Sequence, residues 1–288
     1  MRVLILGGSG MLGHRLLQAL EAAGHEARAT LRGGLESYPR RGPLRPDNSI
    51  PQLDLRDGTR LREIIADFRP ESVVNAAGLV LQREDASDPI LNIELNSLLP
   101  HRVALTCREY GARLIHISSD CVFSGARGRY TEADVPDPVD LYGRSKLLGE
   151  VSDAPAITLR TSMIGFELNG RQGLLEWFLA QTGTVRGYRR AIFSGLSTLE
   201  ICRVIERVMS SDPGRHGIYH VSAEPISKYE LLCAVRDALG LKVQIEPADK
   251  PAIDRSLDSG RFRAQFGYNP PAWHDMIREL AAEAGAYK

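Results

Sequence analysis

Short apolar runs alternate with longer amphipathic stretches over the first two thirds of this 288-residue chain. The runs have the length of buried strands, and the stretches repeat their apolar positions every three or four residues, as helices do. The predicted strands are Val3–Leu6, Ala27–Leu31, Ser72–Asn75, Arg113–Ile117, Ile157–Arg160 and Ile218–Val221. The helices predicted between them are Leu12–Ala23, Thr59–Phe68, Ile90–Tyr110 and Tyr142–Glu150. Strands that alternate with helices predict an α/β fold built on a doubly wound parallel sheet.

The regular alternation weakens after about Gly165. We therefore expect a core over residues 1–164 and a smaller lobe over residues 165–288, interleaved with the last strands of the core. The segment Gly33–Pro51 is rich in Gly, Pro and Arg and predicts an exposed loop. The helices predicted in the second part are Leu174–Gln181, Leu199–Ser210, Lys228–Leu239 and His274–Ala284.

Composition excludes several classes of protein. Acidic and basic residues balance at 36 each, which gives no electrostatic reason to expect nucleic acid or an anionic membrane as partner. The first apolar run stops at Gly7, too early for a signal peptide or a membrane span. The four cysteines contain no CxxC pair, which fits a reducing cytoplasm, and from the histidines we infer no metal.

The glycine-rich segment Gly7-Gly8-Ser9-Gly10-Met11-Leu12-Gly13 follows the first predicted strand and opens the first predicted helix. Glycines with this spacing allow a tight turn and let a pyrophosphate approach the backbone at the helix N-terminus. We therefore predict a dinucleotide site of the Rossmann type, although a purely structural turn would show the same glycines. The predicted contacts are Gly7, Ser9, Gly10, Met11, Leu12 and Gly13.

The end of the second predicted strand bears on which dinucleotide binds. An acidic residue there contacts the ribose 2′-hydroxyl of NAD, whereas a basic residue accommodates a 2′-phosphate. In this chain Leu31 stands where the acid would fall, and Arg32 follows it. Arg32, helped by the hydroxyl of Thr30, favours NADPH, with NADH as the alternative if Arg32 merely begins a basic surface loop.

Two further turns resemble cofactor contacts. Asp54 and Leu55 follow a third, poorly defined strand, where they would meet the adenine. Asn75 ends the next strand and precedes the small residues Ala76-Ala77-Gly78, as is needed where backbone lies close to a ligand. Both segments also fit ordinary strand exits.

Tyr142 is the only tyrosine in the chain with a lysine, Lys146, four residues further on. That spacing puts both on one helix face, where the ammonium would lower a phenol pKa that starts near about 10. A tyrosine tuned in this way exchanges a proton near neutral pH. Ser119 ends a buried strand, from which its hydroxyl would donate to a carbonyl oxygen, although Ser118 and Ser119 would equally suit a loop cap.

Taken together, the segments Gly7–Gly13, Asn75–Gly78, Ser118–Phe123 and Tyr142–Lys146 resemble the extended short-chain dehydrogenases/reductases. The longer segments Ser118–Gly125, Tyr130–Glu132 and Leu141–Glu150 are similar to the dTDP-4-dehydrorhamnose reductase branch, which reduces 4-keto nucleotide sugars.

The resemblance implies NADPH-dependent reduction of a 4-keto-6-deoxy nucleotide sugar in deoxysugar and cell-surface polysaccharide biosynthesis. Tyr142 would be the acid, Ser119 the catalytic hydroxyl, and Lys146 the partner that also holds the nicotinamide ribose. Residues 1–164 would then bind NADP and residues 165–288 the substrate. It also implies a homodimer. The sequence departs from the branch at Cys121, where tyrosine is usual beside the sugar, and in the longer loop Gly33–Pro51.

The substrate lobe gives weaker signals. Asp120 and Cys121 adjoin the catalytic hydroxyl, and Arg186 is a candidate for the diphosphate because guanidinium groups match phosphate oxygens. Arg160, Arg189 and Arg190 are candidates of the same kind. Trp177 would stack on a base or sugar, yet its helical spacing with Leu174 and Phe178 also fits a core position.

Three other functions remain open. A nucleotide-sugar epimerase or dehydratase uses the same fold; an epimerase retains its NAD, and a dehydratase would carry an Asp-Glu pair where Asp120-Cys121 stands. The regulatory subunit of methionine adenosyltransferase also resembles this branch and serves as a binding partner. Intact Ser119, Tyr142 and Lys146 favour an enzyme.

Overall fold

The structure, a computed structural model, describes residues 1–39, 42–80, 87–169 and 172–287. Its strands are β1 (Arg2–Leu6), β2 (Glu26–Thr30), β3 (Ser49–Ile50), β4 (Ser72–Asn75), β5 (Arg113–Ile117), β6 (Ala156–Arg160), β7 (Met163–Ile164), β8 (Thr184–Tyr188), β9 (Ala191–Phe193), β10 (Leu196–Ser197), β11 (Gly217–His220), β12 (Ile226–Ser227), β13 (Gln244–Ala248) and β14 (Ile253–Asp254). Its α-helices are α1 (Met11–Ala22), α2 (Gly58–Phe68), α3 (Pro89–Asn92), α4 (Leu99–Tyr110), α5 (Leu141–Leu148), α6 (Leu174–Leu179), α7 (Thr198–Met209), α8 (Lys228–Leu239), α9 (Gly260–Phe266) and α10 (Trp273–Glu283). None of the described helices has the length and apolar content that a bilayer crossing requires.

Within the described residues, seven strands form one sheet in the order β11-β6-β5-β4-β1-β2-β3. Every neighbouring pair in it is parallel, so the predicted doubly wound parallel sheet is confirmed. The chain runs outward from β1 through β2 and β3, then returns to the other side of β1 with β4. Such sheets bind ligands at the carboxyl ends of the strands beside this reversal. The crevice therefore lies between the turns that follow β1 and β4.

Helices cover both faces of the sheet because the strand side chains alternate between the faces. Val3 and Ile5 of β1 face α1 and α7, whereas Leu4 and Leu6 face α2 and α4. All four side chains are fully buried. Burial of one such side chain contributes about 1.5–3 kcal/mol, so these clusters fix the sheet that positions the crevice.

The six predicted strands of the sheet agree with the observed ones to within one residue. The predicted helix Ile90–Tyr110 is instead divided into α3, a π-helical turn at Ile93–Leu98, and α4. In the π-helical turn the amide of Asn96 is fully buried. Its Oδ1 accepts from Leu79 N at 2.9 Å, and its Nδ2 donates to Leu79 O at 3.0 Å. The departure from α-helix thus accompanies a contact that the helical pattern did not reveal.

The prediction of an exposed loop over Gly33–Pro51 is wrong in part. It contains β3, which pairs with β2, and the buried side chains of Leu44 and Asn48. Asn48 Nδ2 donates to Glu21 on α1 at 2.8 Å, which ties the segment to the core. Residues 40 and 41 of this predicted loop lie outside the described residues.

The second part of the chain builds its own apolar cluster and also completes the main core. The cluster comprises Ile164, Phe166, Leu175, Phe178, Val185, Phe193, Leu231, Leu232, Val235, Val243, Ile277 and Leu280. Strand β11 extends the main sheet beside β6, and α7 shares the α1 side of the main core. Residues late in the chain therefore belong to both parts of the fold.

Candidate active site

The turn after β1 is closely packed on one side and open on the other. Gly7 has a φ of 85°, and a Cβ there would lie 2.9 Å from Ala77 Cα in the turn after β4. A Cβ on Gly13 would collide with the carbonyl oxygen of Gly7. A Cβ on Gly10 would meet only that same oxygen, at 3.3 Å, within 4 Å. Gly7 and Gly13 thus serve packing, and Gly10 presents a bare surface.

Gly10 is also the N-cap of α1, with no side-chain cap and no acidic residue in the first turn. An uncapped helix N-terminus of this kind favours an anion. Leu12 and Gly13 are buried, so backbone is what they offer a ligand; Ser9 and Met11 are half-buried. This arrangement fits the pyrophosphate of a dinucleotide.

Thr30 holds the glycine turn from the end of β2. Its Oγ1 accepts from Gly7 N at 3.2 Å, and its carbonyl oxygen accepts from Gly8 N at 2.9 Å. The side chain is buried. This hydroxyl accepts a hydrogen bond inside the protein and keeps its own proton to donate, so its help in binding a 2′-phosphate stays a prediction.

The residues after β2 match the predicted absence of an acid. Leu31 is buried in the core, whereas Arg32 is exposed. Asp54 is close enough for Arg32 to contribute to its lowered pKa, whose main cause is the hydrogen bonding from Arg56. Arg56 Nη2 donates to Asp54 Oδ2 at 2.6 Å, so this carboxylate is engaged by its neighbour. Leu55 packs against the core.

The turn after β4 links the glycine turn to Lys146. Ala76 and Ala77 are half-buried, and Gly78 is exposed. A Cβ on Gly78 would lie 3.0 Å from Asn96 Oδ1 and 3.9 Å from Lys146 Nζ. The small residues thus let backbone lie close to Asn96 and Lys146, which fits a turn along which a dinucleotide extends.

Ser119 and Tyr142 come together because α5 approaches the turn after β5 very closely. Asp140 caps α5 by accepting from Gly143 N at 2.7 Å. A Cβ on Gly143 would collide with Cys121 O, so glycine permits the approach. The hydroxyl of Ser119 then lies near enough to the phenol of Tyr142 to favour its ionised form by hydrogen bonding.

The two adjacent serines have different partners. Ser118 Oγ donates to Glu150 Oε1 at 2.7 Å. Ser119 Oγ accepts from Cys121 N at 3.1 Å and donates to Asp120 Oδ1 at 3.3 Å. Of the two hydroxyls, that of Ser119 is therefore the one that faces Tyr142.

Lys146 lies one turn after Tyr142 and is buried. Its Nζ donates to Ile117 O at 2.7 Å. Burial lowers the pKa of Lys146 to about 8, and the Glu150 carboxylate opposes this effect. The expected lowering of the Tyr142 pKa is not seen; burial raises it, with the Cys121 thiol and the Asp120 carboxyl adding to the rise. The ammonium is held by a backbone carbonyl, so its effect on the phenol is smaller than the spacing suggested.

Asp120 and Cys121 border the same hydroxyls. Burial raises the pKa of Asp120, and the charges of Arg255 and Lys228 oppose that rise. Burial also raises the pKa of the Cys121 thiol to about 12, so this thiol is a neutral group at neutral pH. Sequence reasoning missed Arg255 and Lys228, since more than a hundred residues separate Cys121 from Lys228 and nothing local marks either cation.

The predicted substrate residues of the second part differ in their surroundings. Arg186 is exposed on β8, and the Trp177 side chain on α6 is 40% exposed, so the core interpretation of Trp177 is wrong. Arg160 is buried and bound to Glu150, with Nη2 and Oε2 2.7 Å apart. Its Nη1 lies 3.2 Å from His220 Nε2. Arg160 thus has internal partners, which contradicts its prediction as a phosphate ligand.

The described residues hold no cluster of three or more His, Cys, Asp or Glu side chains placed to bind a metal. His216 and His220 are four residues apart. His216 precedes strand β11 and His220 is its last residue, so the two do not share a helix face. His220 is buried, with Nδ1 2.9 Å from Tyr130 O.

Comparison with known proteins gives consistent matches. A family model described as the RmlD substrate binding domain matches residues 1–174. The rat methionine adenosyltransferase 2 subunit beta is 28% identical, over 88% of this chain and 77% of its own length. The spore coat polysaccharide biosynthesis protein SpsK of Bacillus subtilis is 28% identical over 98% of this chain and 97% of its own.

A protein named dTDP-4-dehydrorhamnose reductase from Aggregatibacter actinomycetemcomitans is 25% identical over 98% of this chain and 99% of its own. Among solved structures, a dTDP-4-dehydrorhamnose reductase from Bacillus anthracis in complex with NADP superimposes with a TM-score of 0.81. The two sequences are 21% identical, and the match covers 98% of this chain and 99% of the reductase chain. This similarity shows a shared fold.

Proposed function

Because the chain belongs to the RmlD substrate binding domain family, of the extended short-chain dehydrogenases/reductases, we propose that it is an NADPH-dependent reductase of a 4-keto-6-deoxy nucleotide sugar. The observation that carries the proposal is the meeting of Ser119 with Tyr142, next to Lys146, at the carboxyl edge of the sheet. Gly10 and Gly78 are exposed, and a Cβ on Gly78 would lie 3.9 Å from Lys146 Nζ, so the turn after β4 adjoins these groups. The relatives named as a dTDP-4-dehydrorhamnose reductase and a spore coat polysaccharide biosynthesis protein support a role in deoxysugar and polysaccharide synthesis.

Tyr142 is the proton donor in this proposal. Burial raises its pKa and keeps the phenol protonated until a carbonyl oxygen accepts the proton. Ser119 would turn its one hydroxyl proton from Asp120 to the same oxygen and stabilise the negative charge that develops there. The bound nicotinamide supplies the hydride.

Lys146 favours the phenolate that remains after transfer. With a pKa of about 8, Lys146 is a charged ammonium in most molecules at neutral pH. A positive charge kept in a buried site acts more strongly on a nearby anion than one in water. Its position beside Gly78 also suits it to hold the nicotinamide ribose.

The residues that would hold the cofactor are those lining the crevice. The α1 N-terminus would take the pyrophosphate, with backbone from Gly7 to Gly13, and Ala76 to Gly78 would lie along the dinucleotide. Buried Leu31 and exposed Arg32 favour a 2′-phosphate and so NADPH over NADH. Asp54 and Leu55 would lie at the adenine end.

Turnover by a Tyr142→Phe variant tests the proposal. NADPH oxidation is measured with a panel of 4-keto nucleotide sugars, and the loss of the phenolic proton should lower kcat by roughly 10²–10⁴-fold while cofactor binding persists. Tyr110→Phe is the control, because Tyr110 lies at the far end of α4. Near-normal turnover of Tyr142→Phe would refute the assignment.

The same assay separates the other functions. A reductase oxidises NADPH in proportion to the sugar it reduces, whereas an epimerase would cause no net oxidation of NADPH. A binding protein similar to the methionine adenosyltransferase subunit would oxidise none with any sugar in the panel. That result would overturn the proposal even if NADPH bound tightly.

We further infer that residues 165–288 form the substrate lobe, supported by their separate apolar cluster. A cytoplasmic location is supported by the four free cysteines. A homodimer stays a prediction from the family resemblance. Size-exclusion chromatography with light scattering would test it.

A further inference from the structure

Arg255 reaches the candidate active site from the far end of the chain. It directly follows β14, and its Nε donates to Phe123 O at 2.9 Å. Its Nη1 lies 3.6 Å from Cys121 Sγ. The path is open because residue 125 is glycine: a Cβ there would lie 2.9 Å from Arg255 Cγ. The guanidinium is thus fixed against the turn that carries Ser119.

Lys228 is a second cation near the same turn. It is the first residue of α8, where the N-cap Ser227 and Glu230 bond to each other in a capping box. Glu230 is therefore engaged with Ser227 and leaves Lys228 without a carboxylate in this turn. Both Lys228 and Arg255 act electrostatically on Asp120.

Neither cation has a carboxylate within 4.0 Å among the residues that the structure describes. Other arginines of the second part do: Arg189 pairs with Asp249, and Arg236 with Asp237. Arg255 Nη2 also makes no hydrogen bond within the described ranges. A half-buried cation that lacks a paired acid is electrostatically available to a ligand.

Arg255 lies close to the reacting groups. The Cys121 thiol, which Arg255 contacts, interacts with both the Ser119 hydroxyl and the Tyr142 phenol. Two carboxyl groups, those of Asp120 and Asp140, act on this thiol and phenol, and Asp140 already caps α5 by accepting from Gly143 N. Arg255 and Lys228 offset the charge of an ionised Asp120, and they are the groups that attract an oxyanion entering here.

We propose that Arg255 and Lys228 form an oxyanion-binding side of the substrate pocket. The oxyanion is the diphosphate of the nucleotide sugar, because the proposed 6-deoxy substrate has a methyl group, and no carboxylate, at C6 of its hexose. Guanidinium and ammonium groups bind phosphate oxygens through charge-assisted hydrogen bonds. This inference rests on the proposed function, because it places a nucleotide sugar beside Ser119 and Tyr142.

Calorimetric titration tests the inference without turnover. The native protein with NADP⁺ present is titrated with dTDP, UDP-glucose and UDP-glucuronate. Arg255→Gln and Lys228→Gln are titrated in the same way. Arg255→Lys is added because it keeps the positive charge but replaces the planar guanidinium with an ammonium. Arg189→Gln is the control, since Arg189 is exposed and paired with Asp249. Thermal unfolding of each variant checks that it is folded; Lys228→Gln removes no hydrogen bond among the described residues.

A diphosphate source predicts that Arg255→Gln and Lys228→Gln weaken all three ligands by about tenfold or more, as charged hydrogen bonds do. A loss confined to UDP-glucuronate would mean that the two cations bind a hexose carboxylate, and this result would overturn the inference. Unchanged binding in both variants overturns the inference, and so does failure of the native protein to bind any of the three. A protein that oxidises no NADPH but loses nucleotide binding in these variants fails the proposed function and keeps this site.

Discussion

Replacing Lys146 by methionine should stabilise the fold while abolishing turnover. Burial lowers the pKa of Lys146 from 10.5 to about 8. At about 1.36 kcal/mol per pKa unit, holding the charged form in the folded state costs roughly 3 kcal/mol at neutral pH. Methionine removes that cost but leaves Ile117 O without its 2.7 Å hydrogen bond, a loss of about 1–2 kcal/mol. We expect Lys146→Met to be about 1–2 kcal/mol more stable near neutral pH.

The pH dependence has a definite sign. The folded-state pKa of Lys146 is below the unfolded value, so between about 8 and 10.5 the unfolded chain binds more protons. The contribution of Lys146 to stability therefore rises with pH across this range and is fully unfavourable below it. Lys146→Met lacks this contribution, so its advantage over the native protein should shrink as the pH approaches 10.5.

Urea unfolding of both proteins at about pH 7 and about pH 10 measures the effect. Lys242→Met is the control, because Lys242 is exposed and should show no gap. The reasoning is refuted if Lys146→Met is less stable than the native protein at neutral pH. It is equally refuted if the gap is the same at both pH values.

Two further predictions concern the crevice. Gly10→Ala should unfold at the same temperature as the native protein but bind NADPH at least about tenfold more weakly, because its methyl enters the open side of the turn. Gly13→Ala should lose about 1–3 kcal/mol of stability, because its methyl collides with Gly7 O. Thermal unfolding and fluorescence titration measure both, and unchanged affinity in Gly10→Ala would mean that the crevice lies elsewhere. Arg32→Ala should weaken NADPH by roughly tenfold to a hundredfold and leave NADH nearly unchanged. With Arg236→Ala as control, an unaltered NADPH/NADH preference would contradict the role of Arg32.

Local patterns were enough to predict the parallel sheet and its six main strands. Continuous apolar runs such as Val3–Leu6 mark strands covered on both faces, and glycines after β1 mark the turn. The short strand β3 was expected only as a poorly defined third strand without bounds, because two residues carry no period and its pairing with β2 is a tertiary contact.

The site was predictable where one segment contains it. The spacing of Tyr142 and Lys146 predicted their shared helix, but not that Lys146 would bond to Ile117 O. The Tyr142 pKa depends on burial by other segments, so its direction was missed. Arg255 reaches Cys121 only through the folded chain, and no periodicity in either segment indicates that contact.

The shared core described above has a consequence for synthesis of the protein. The apolar side of α1 packs with α7, and the sheet is completed by β11, both of which come after residue 197. A ribosome thus releases the glycine turn and its helix long before their partners exist. The nucleotide-binding half has to wait, partly uncovered, until most of the polypeptide has been translated.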